Sequence, residues 1–212
     1  MVNLYAANIG TIADPKMCPD IMEGLSEERK DKILHFKMEH SRKQSLIAGL
    51  LLKYVLDLRG LSMEKITYGQ NGKPGIEGMY FNLSHSGDMV ICAVSDRNIG
   101  CDIETVSTVK EGIADRFFTK QETQYLNFFE GPQKEQEFFR LWTIKESYMK
   151  LTGEGMSLPL SGFNVKIGKN ITIERNGEIC PCHIKEYEID GYRTAVCAME
   201  QDFDLDVTYV SF

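Results

Sequence analysis

The stretch Phe81-Asn82-Leu83-Ser84-His85-Ser86-Gly87, followed by Gly100-Cys101-Asp102-Ile103-Glu104, decides the fold of this chain. Between the two segments lies an apolar run of β-forming residues, 89–94, and glycine stands before and after it. Short apolar runs that are separated by glycine turns are typical of adjacent strands. The sequence therefore predicts three strands joined by turns in one small sheet.

Two carboxylates stand out in the third predicted strand. Asp102 and Glu104 are separated by one residue, so both side chains project from the same face of the strand. Like charges in this position repel each other unless a cation lies between them, and Mg²⁺ prefers oxygen ligands of this kind. Ser84 and His85, which we expect at a nearby turn, are suited to holding a phosphate group.

Composition limits the classes of protein to consider. The chain has 212 residues, of which 42% are hydrophobic, enough for one large domain or two smaller ones. The net charge of −7 argues against a general nucleic-acid binder. The first residues carry no export signal, and no run is long enough to span a bilayer, so we expect a cytoplasmic protein without a membrane partner.

Six cysteines are scattered through the chain, several within apolar runs. Without an export signal, reduced and buried thiols are expected rather than a disulfide framework. The segment Cys180-Pro181-Cys182-His183 hints at metal binding. No second pair of ligands stands at the spacing of a zinc site, so this hint is set aside.

Basic residues begin the longer of two predicted helices in the first half. Ser26 is a suitable N-cap for a helix to about residue 37, and a second helix covers about 41–58. Arg42 and Lys43 stand at the start of the second helix, and further basic residues lie on the first (Arg29, Lys30 and Lys32). This cluster indicates either a solvated face or an anion site.

A loop rich in turn formers follows at residues 68–74, with Gly69, Asn71, Gly72 and Pro74. Lys73 lies inside this loop, where its ammonium and nearby backbone N–H groups could meet a phosphate or a purine. We place a domain boundary near residue 105, which divides the chain into 1–105 and 106–212.

The second half contains a long predicted helix at about 133–151. Its apolar side includes Phe138, Leu141 and Lys145, whereas Glu146 and Lys150, four residues apart, share another face. By themselves these last two residues indicate an ordinary surface ion pair.

A capping box, Thr119-Lys120-Gln121-Glu122, precedes this helix and gives Glu122 a structural role. Strands are predicted after the helix, at 163–167, 171–173, 183–187 and 194–199. A long helix precedes a sheet in each half, which predicts an α+β fold of two similar halves.

Four motifs follow one another along the chain: Gly-Lys-Pro at 72–74, Phe-Asn-Leu-Ser-His-Ser at 81–86, Gly-Cys-Asp-Ile-Glu at 100–104 and Trp-Thr-Ile-Lys-Glu-Ser-Tyr-Met-Lys at 142–150. The chain thereby resembles the 4′-phosphopantetheinyl transferases, and in particular the long, two-half type that includes surfactin synthetase activators. The resemblance covers about residues 26–160, and its two core motifs are highly specific. Cys101 departs from the family pattern, in which an aliphatic residue is commoner.

The resemblance implies transfer of the phosphopantetheine arm from coenzyme A to a serine of an apo acyl or peptidyl carrier protein, with release of adenosine 3′,5′-bisphosphate. It implies two small antiparallel sheets related by a pseudo-twofold axis, with the active site between the halves. A monomer is expected, because both halves of the site belong to one chain. We expect the carrier to dock on Phe117, Phe118, Tyr125 and Leu126.

The same resemblance assigns roles to individual residues. Mg²⁺, or Mn²⁺ in its place, is expected on Asp102, Glu104 and Glu146, with Glu146 or a metal-bound water accepting the serine proton. Coenzyme A would be bound by phosphate ligands (Ser84, His85, Lys145 and Lys150), by an adenine pocket (Lys73 and Pro74) and by the rest of a phosphate cage (Arg42 and Lys43, with Arg29 or Lys32). The residues expected to take part in catalysis are Asp102, His85, Glu146 and Lys150. Glu122 matches an acidic residue of the family as well as a helix cap.

Two other functions remain open on the same residues. A Mg²⁺-dependent hydrolase of a nucleotide or coenzyme A pyrophosphate would use these carboxylates with water as the nucleophile. A non-catalytic coenzyme A-binding protein is the other alternative. The presence of all three expected metal ligands argues against it.

Overall fold

The computed structural model describes residues 1–69 and 73–212, and for Met156 the backbone alone. The predicted turn residues Asn71 and Gly72 therefore lie outside the described residues. The helices are α1 (Glu27–His35), α2 (Glu39–Leu58), α3 (Ile113–Phe117), α4 (Lys120–Leu126) and α5 (Gly131–Thr152). No helix in the described ranges is both long enough and apolar enough to cross a membrane.

Local capping interactions explain where several helices begin and end. Ser26 accepts a hydrogen bond from the N–H of Arg29 at the start of α1. The predicted capping box of α4 is confirmed, because Thr119 and Glu122 each accept the other's backbone N–H. Helix α5 ends at Gly153, which adopts a left-handed conformation with φ of 72°.

The strands form small sheets. They are β1 (Val2–Asn8), β2 (Thr67–Tyr68), β3 (Pro74–Gly75), β4 (Tyr80–Ser86), β5 (Met89–Ser95), β6 (Ile99–Thr105), β7 (Asn164–Lys166), β8 (Thr172–Arg175), β9 (Glu178–Ile179), β10 (His183–Ile189), β11 (Tyr192–Ala198) and β12 (Phe203–Tyr209). The two sheets that matter for the site have the orders β12-β1-β5-β4 and β10-β11-β6. The α+β class predicted from the sequence is confirmed.

The prediction of one sheet for β4, β5 and β6 is wrong. Strands β4 and β5 form an antiparallel pair, but β6 pairs with β11, with Asp102 opposite Ala195. On the other edge of β6, side chains of β4 accept hydrogen bonds that a paired strand would otherwise accept. Asn82 accepts the N–H of Cys101, and Ser86 accepts the N–H of Thr105. The backbone N–H groups of Cys101 and Thr105 are thereby satisfied without a strand pair on that side.

Each of the two main sheets takes strands from both sides of residue 105. Strand β1 pairs in parallel with β12, and β6 pairs antiparallel with β11. An apolar layer between the two sheets includes Val2, Ile91, Ile103 and Val196. The division into 1–105 and 106–212 remains a prediction, and these shared sheets hold the two parts together.

Gly100 brings α5 directly onto β6. A Cβ atom at this position would lie 2.1 Å from the carbonyl oxygen of Ser147 and 2.4 Å from the backbone nitrogen of Leu151. Glycine in the interior of a strand commonly marks such a close approach of backbones. The contact places the Glu146–Lys150 turn of α5 over the carboxylates of β6.

Candidate active site

Ser84, Asp102 and Lys150 form a hydrogen-bonded cluster where α5 crosses β6. The Ser84 hydroxyl donates to Oδ1 of Asp102 at 2.8 Å. The Lys150 ammonium donates to the same oxygen at 2.7 Å and to the Ser84 hydroxyl at 2.9 Å. Burial lowers the pKa of Lys150, but the Asp102 carboxylate, with smaller contributions from Cys101 and Glu146, reverses that effect and the net shift is upward. These three predicted site residues are thus brought together.

The other carboxylate oxygen of Asp102 has no partner. Asp102 is 4% exposed, and its Oδ2 atom is buried without a hydrogen bond. A buried, unpaired carboxylate oxygen is costly, since it has lost water without gaining a donor. An oxygen in this state is a suitable ligand for a hard cation.

Glu104 and Glu146 carry the charge that such a cation would neutralise. Burial and then the charge of Asp102 raise the pKa of Glu104, although the Ser86 hydroxyl donates to it at 2.8 Å. The same two causes, in the same order, raise the pKa of Glu146. The electrostatic field of Asp102 therefore reaches both glutamates, as expected for three carboxylates that share one region.

These carboxylates do not converge as a ready-made metal site. Within residues 1–69 and 73–212, no group of three or more His, Cys, Asp and Glu side chains is arranged to hold a metal ion. In this conformation the Lys150 ammonium supplies the positive charge beside Asp102. The unpartnered Oδ2 atom and the oxygen-only donor set nevertheless fit Mg²⁺ or Mn²⁺.

Alternate residues of β4 face the carboxylates. Asn82, Ser84 and Ser86 bond to Cys101, Asp102 and Glu104 of β6, respectively. The sequence analysis expected Ser84 and His85 at a turn, whereas both lie inside β4. It also missed Asn82 and Ser86, although polar residues at every second position of a strand are the expected signal for one polar face.

His85 is an exposed residue of β4, one position before Ser86. Desolvation and then the positive charge of Lys150 lower its pKa, which favours the neutral imidazole. Residues of α2 and β11 hold the Gly87–Asp88 turn that follows β4. Gln44 donates to the carbonyl of Gly87 at 2.8 Å, and the N–H of Asp88 donates to the Tyr192 hydroxyl at 3.0 Å.

Lys73, in the predicted loop at residues 68–74, bonds to the end of α5. Its ammonium donates to the carbonyl oxygens of Lys150 at 2.5 Å and Ile99 at 3.2 Å, and burial lowers its pKa. Lys73 and Pro74 border a cavity of about 350 Å³ beside the last turn of α5. Pro74 also lines a second cavity of about 480 Å³, into which Arg29 and Lys32 project.

The geometry does not support the phosphate-cage assignment of Arg42 and Lys43. Arg42 is buried and forms a two-pronged ion pair with Asp14, while donating to the carbonyls of Phe36 and Lys37. Lys43 pairs with Glu39 one helical turn earlier, at 2.8 Å. The donors of Arg42 therefore fix the segment between α1 and α2.

Lys145 is also placed away from the carboxylates. It is fully buried, and its ammonium donates to Oε1 of Glu122 at 2.5 Å and to the carbonyl of Phe163 at 2.7 Å. Burial lowers its pKa to about 8. Glu122 accepts the N–H of Val165 as well, so this ion pair ties α4, α5 and β7 together. The Lys145 ammonium is thus engaged within the core, and its expected role in phosphate binding stays a prediction.

The expected carrier surface is wrong for two of its four residues. Phe118 is 4% exposed and Leu126 is 1% exposed, so both belong to the core around α5. Phe117 and Tyr125 are partly buried against the same cluster. Aromatic residues next to a helix cap proved to be packing residues because α4 lies against α5.

Comparisons with known proteins agree on one family. Residues 98–197 match the model of the 4′-phosphopantetheinyl transferase superfamily. The 4′-phosphopantetheinyl transferase Sfp of Bacillus subtilis is 36% identical over 200 residues, which cover 90% of this chain and 89% of that protein. The 4′-phosphopantetheinyl transferase Gsp of Aneurinibacillus migulanus is 30% identical over 205 residues, covering 94% and 86% of the two chains. Among solved structures, the holo-[acyl-carrier-protein] synthase of Thermotoga maritima aligns with a TM-score of 0.42 and 15% identity, covering 50% of this chain and 64% of that one.

Proposed function

The chain belongs to the 4′-phosphopantetheinyl transferase superfamily, and on that premise we propose how its site transfers a phosphopantetheine arm from coenzyme A to a serine of an apo acyl or peptidyl carrier protein. The other product is adenosine 3′,5′-bisphosphate. The observation that carries the proposal is the Ser84–Asp102–Lys150 cluster, in which one buried carboxylate oxygen remains unpartnered.

The reaction exchanges a phosphoanhydride bond for a phosphoester bond. The serine oxygen of the carrier forms a bond to the β-phosphorus of coenzyme A, and the bond between that phosphorus and the bridging pyrophosphate oxygen breaks. The bridging oxygen leaves with the adenosine bisphosphate. Catalysis of this kind depends on positioning and on stabilising negative charge.

Glu146 is the proposed acceptor of the serine proton. A general base is most effective when its pKa lies near the working pH, and burial with the charge of Asp102 raises the pKa of Glu146. Lys150 lies one helical turn further along α5, so its ammonium is placed to hold a phosphate oxygen. His85 and Ser84 are proposed as further phosphate contacts from β4.

Mg²⁺, with Mn²⁺ as a substitute, would be held by Asp102 through its free Oδ2 atom, together with Glu104 and Glu146. When bound, it would neutralise the pyrophosphate charge and stabilise the departing phosphate. Removal of the ion should therefore abolish transfer while leaving the apolar layers of the fold intact.

Coenzyme A itself is proposed to enter beside Pro74, which lines both cavities near the site. The larger of these two cavities is lined by the basic residues Arg29 and Lys32, which the sequence analysis expected in the phosphate cage beside Arg42 and Lys43. Because both α5 and β6 belong to one chain, a monomer suffices for the proposed site.

The test is the intact mass of an apo carrier protein after incubation with this protein, coenzyme A and Mg²⁺. We expect a gain equal to one phosphopantetheine arm, lost on chelation and in Glu146→Gln. The matched control is Glu178→Gln, an exposed residue in β9. Cleavage of coenzyme A without a carrier would instead indicate a hydrolase. Binding of coenzyme A with neither outcome, across several carriers, would indicate a non-catalytic protein.

A further inference from the structure

The side chain of Lys73 joins two backbones at the edge of the proposed site. Its ammonium donates to the carbonyl oxygen of Lys150 on α5 at 2.5 Å and to that of Ile99 on β6 at 3.2 Å. A lysine ammonium has three donors, so two of them are directed at the main chain. These contacts are made from a segment 77 residues before Lys150.

The Lys150 carbonyl needs a partner from outside its helix. Helix α5 ends at Thr152, so this carbonyl is one of the last four, which have no N–H partner within a helix. The N–H of Glu154, four residues on, donates to the Thr152 hydroxyl at 3.4 Å. A positive charge at the carboxyl end of a helix is also favoured by the helix dipole. Lys73 therefore acts as a cap for α5.

The second acceptor lies where α5 and β6 approach each other most closely. Ile99 directly precedes Gly100, at which an added Cβ would overlap the backbone of α5. Further along β6 lies Asp102, whose carboxylate pairs with the Lys150 ammonium at 2.7 Å. Both members of this ion pair therefore extend from backbone that the Lys73 ammonium ties together.

The backbone of Lys73 is held as well. A residue that precedes proline is largely confined to extended conformations, and Lys73 precedes Pro74. Tyr68 of β2 pairs with Pro74 of β3, and the N–H of Gly69 donates to the Lys73 carbonyl at 3.0 Å. The Lys-Pro pair of the sequence motif thus directs the ammonium toward α5.

We propose that Lys73 is a positioning residue, which aligns the Lys150 ammonium with the Asp102 carboxylate by bracing α5 against β6. This inference rests on the proposed transferase function, and it differs from the adenine contact that the family resemblance implies for Lys73. The two roles affect different constants. Loss of a ligand contact weakens coenzyme A binding, whereas a displaced Lys150 stabilises the transition state less and lowers kcat.

The test compares Lys73→Met and Lys73→Arg in the full-length protein, with saturating coenzyme A, carrier and Mg²⁺. In Lys73→Met we expect kcat per folded molecule to fall about tenfold or more, while the calorimetric Kd for coenzyme A stays within about twofold. Lys73→Arg keeps the charge and the donors, so its kcat should be higher than that of Lys73→Met. Lys65→Met, at an exposed position just before β2, is the control and should retain both constants.

A second measurement does not depend on transfer, so it separates this proposal from the proposed function. Lysines are labelled with acetic anhydride, and the rate at each is obtained by peptide mass spectrometry. An ammonium in an ion pair stays protonated and reacts slowly. In Lys73→Met, acetylation of Lys150 should accelerate several-fold relative to the exposed Lys134, because the pair with Asp102 loosens. In the wild type, Lys73 itself should react much more slowly than Lys65.

Three results would overturn the proposal. One is an unchanged kcat in folded Lys73→Met, and a simultaneous loss of coenzyme A affinity would then identify Lys73 as a ligand. Another is an unchanged acetylation rate of Lys150 in that variant. The third is a wild-type Lys73 that reacts as fast as Lys65, which requires no variant to fold. A wild type that modifies no carrier would overturn the transferase function, and the acetylation rates would still decide whether Lys73 braces Lys150.

Discussion

The ammonium of Lys150 lies 2.7 Å from the carboxylate of Asp102, across the junction between α5 and β6. This ion pair joins the two elements that carry the proposed metal ligands and leaves the second Asp102 oxygen without a donor. A fixed positive charge beside a proposed cation ligand opposes binding of that cation. Lys150 and the metal therefore interact unfavourably until a phosphate lies between them.

We therefore predict that Lys150→Met binds Mn²⁺ more tightly in the absence of coenzyme A. Loss of one nearby positive charge should tighten binding by about tenfold, equivalent to about 1.4 kcal/mol. Binding is measured by electron paramagnetic resonance of free Mn²⁺, and transfer activity should fall in the same variant. Lys134→Met, at the exposed start of α5, is the control. Unchanged or weaker Mn²⁺ binding in a folded Lys150→Met protein would contradict the ion-pair argument.

Gly100→Ala tests the close approach of α5 to β6. The new Cβ would meet backbone atoms of Ser147 and Leu151, which cannot move as a flexible side chain can. We expect a loss of about 3 kcal/mol in the free energy of unfolding, measured in urea. Gly75→Ala, where no atom lies within 4 Å of the added Cβ, should be close to neutral. Equal effects of the two substitutions would show that α5 does not contact β6 at Gly100.

Lys145→Met tests the role of Lys145 in the core. Removing one partner of a buried ion pair leaves Glu122 charged and uncompensated, at a cost of about 3–5 kcal/mol in unfolding free energy. Because the ammonium lies in the core of the second half, coenzyme A affinity of the folded fraction should remain unchanged in calorimetry. Lys166→Met, on an exposed side chain of β7, supplies the reference for both measurements. A large loss of affinity with little loss of stability would identify Lys145 as a phosphate ligand.

The sequence revealed local features of this fold better than long-range ones. Helix α2, the strands β4 and β5 and the α4 capping box follow from periodicity and cap residues, which act over a few positions. The pairing of β6 with β11 depends on packing between segments about 90 residues apart, and no local signal specifies it. Lys145 is a further example of a local signal: its position in the helical repeat predicted the apolar side of α5, and the side chain lies there.

The sequence predicted the residues of the site better than it predicted the contacts between them. Asp102, Ser84 and Lys150 were all expected, but not that Lys150 would bond directly to Asp102. Arg42 was expected in a phosphate cage because a basic residue at a helix start looks the same in sequence whether it meets a ligand or a carboxylate such as Asp14. Only the folded chain brings Asp14 to that guanidinium.

The raised pKa values of Glu104 and Glu146 predict a specific dependence of stability on pH in the metal-free protein. When the folded-state pKa of a glutamate lies above its ordinary value of 4.5, the folded protein binds more protons than the unfolded chain. That contribution to stability is fully present below the unfolded pKa and is lost as pH rises through the folded pKa.

Because of these two groups, the urea midpoint of the metal-free protein should therefore fall as pH rises from about 5 to about 7. The double variant Glu104→Gln/Glu146→Gln should show a smaller fall over the same range. Saturating Mg²⁺ should also remove it in the wild type, since the ion favours the ionised carboxylates. An identical pH dependence in the wild type and the double variant would mean that neither burial nor the charge of Asp102 raises the pKa of these glutamates in the folded protein.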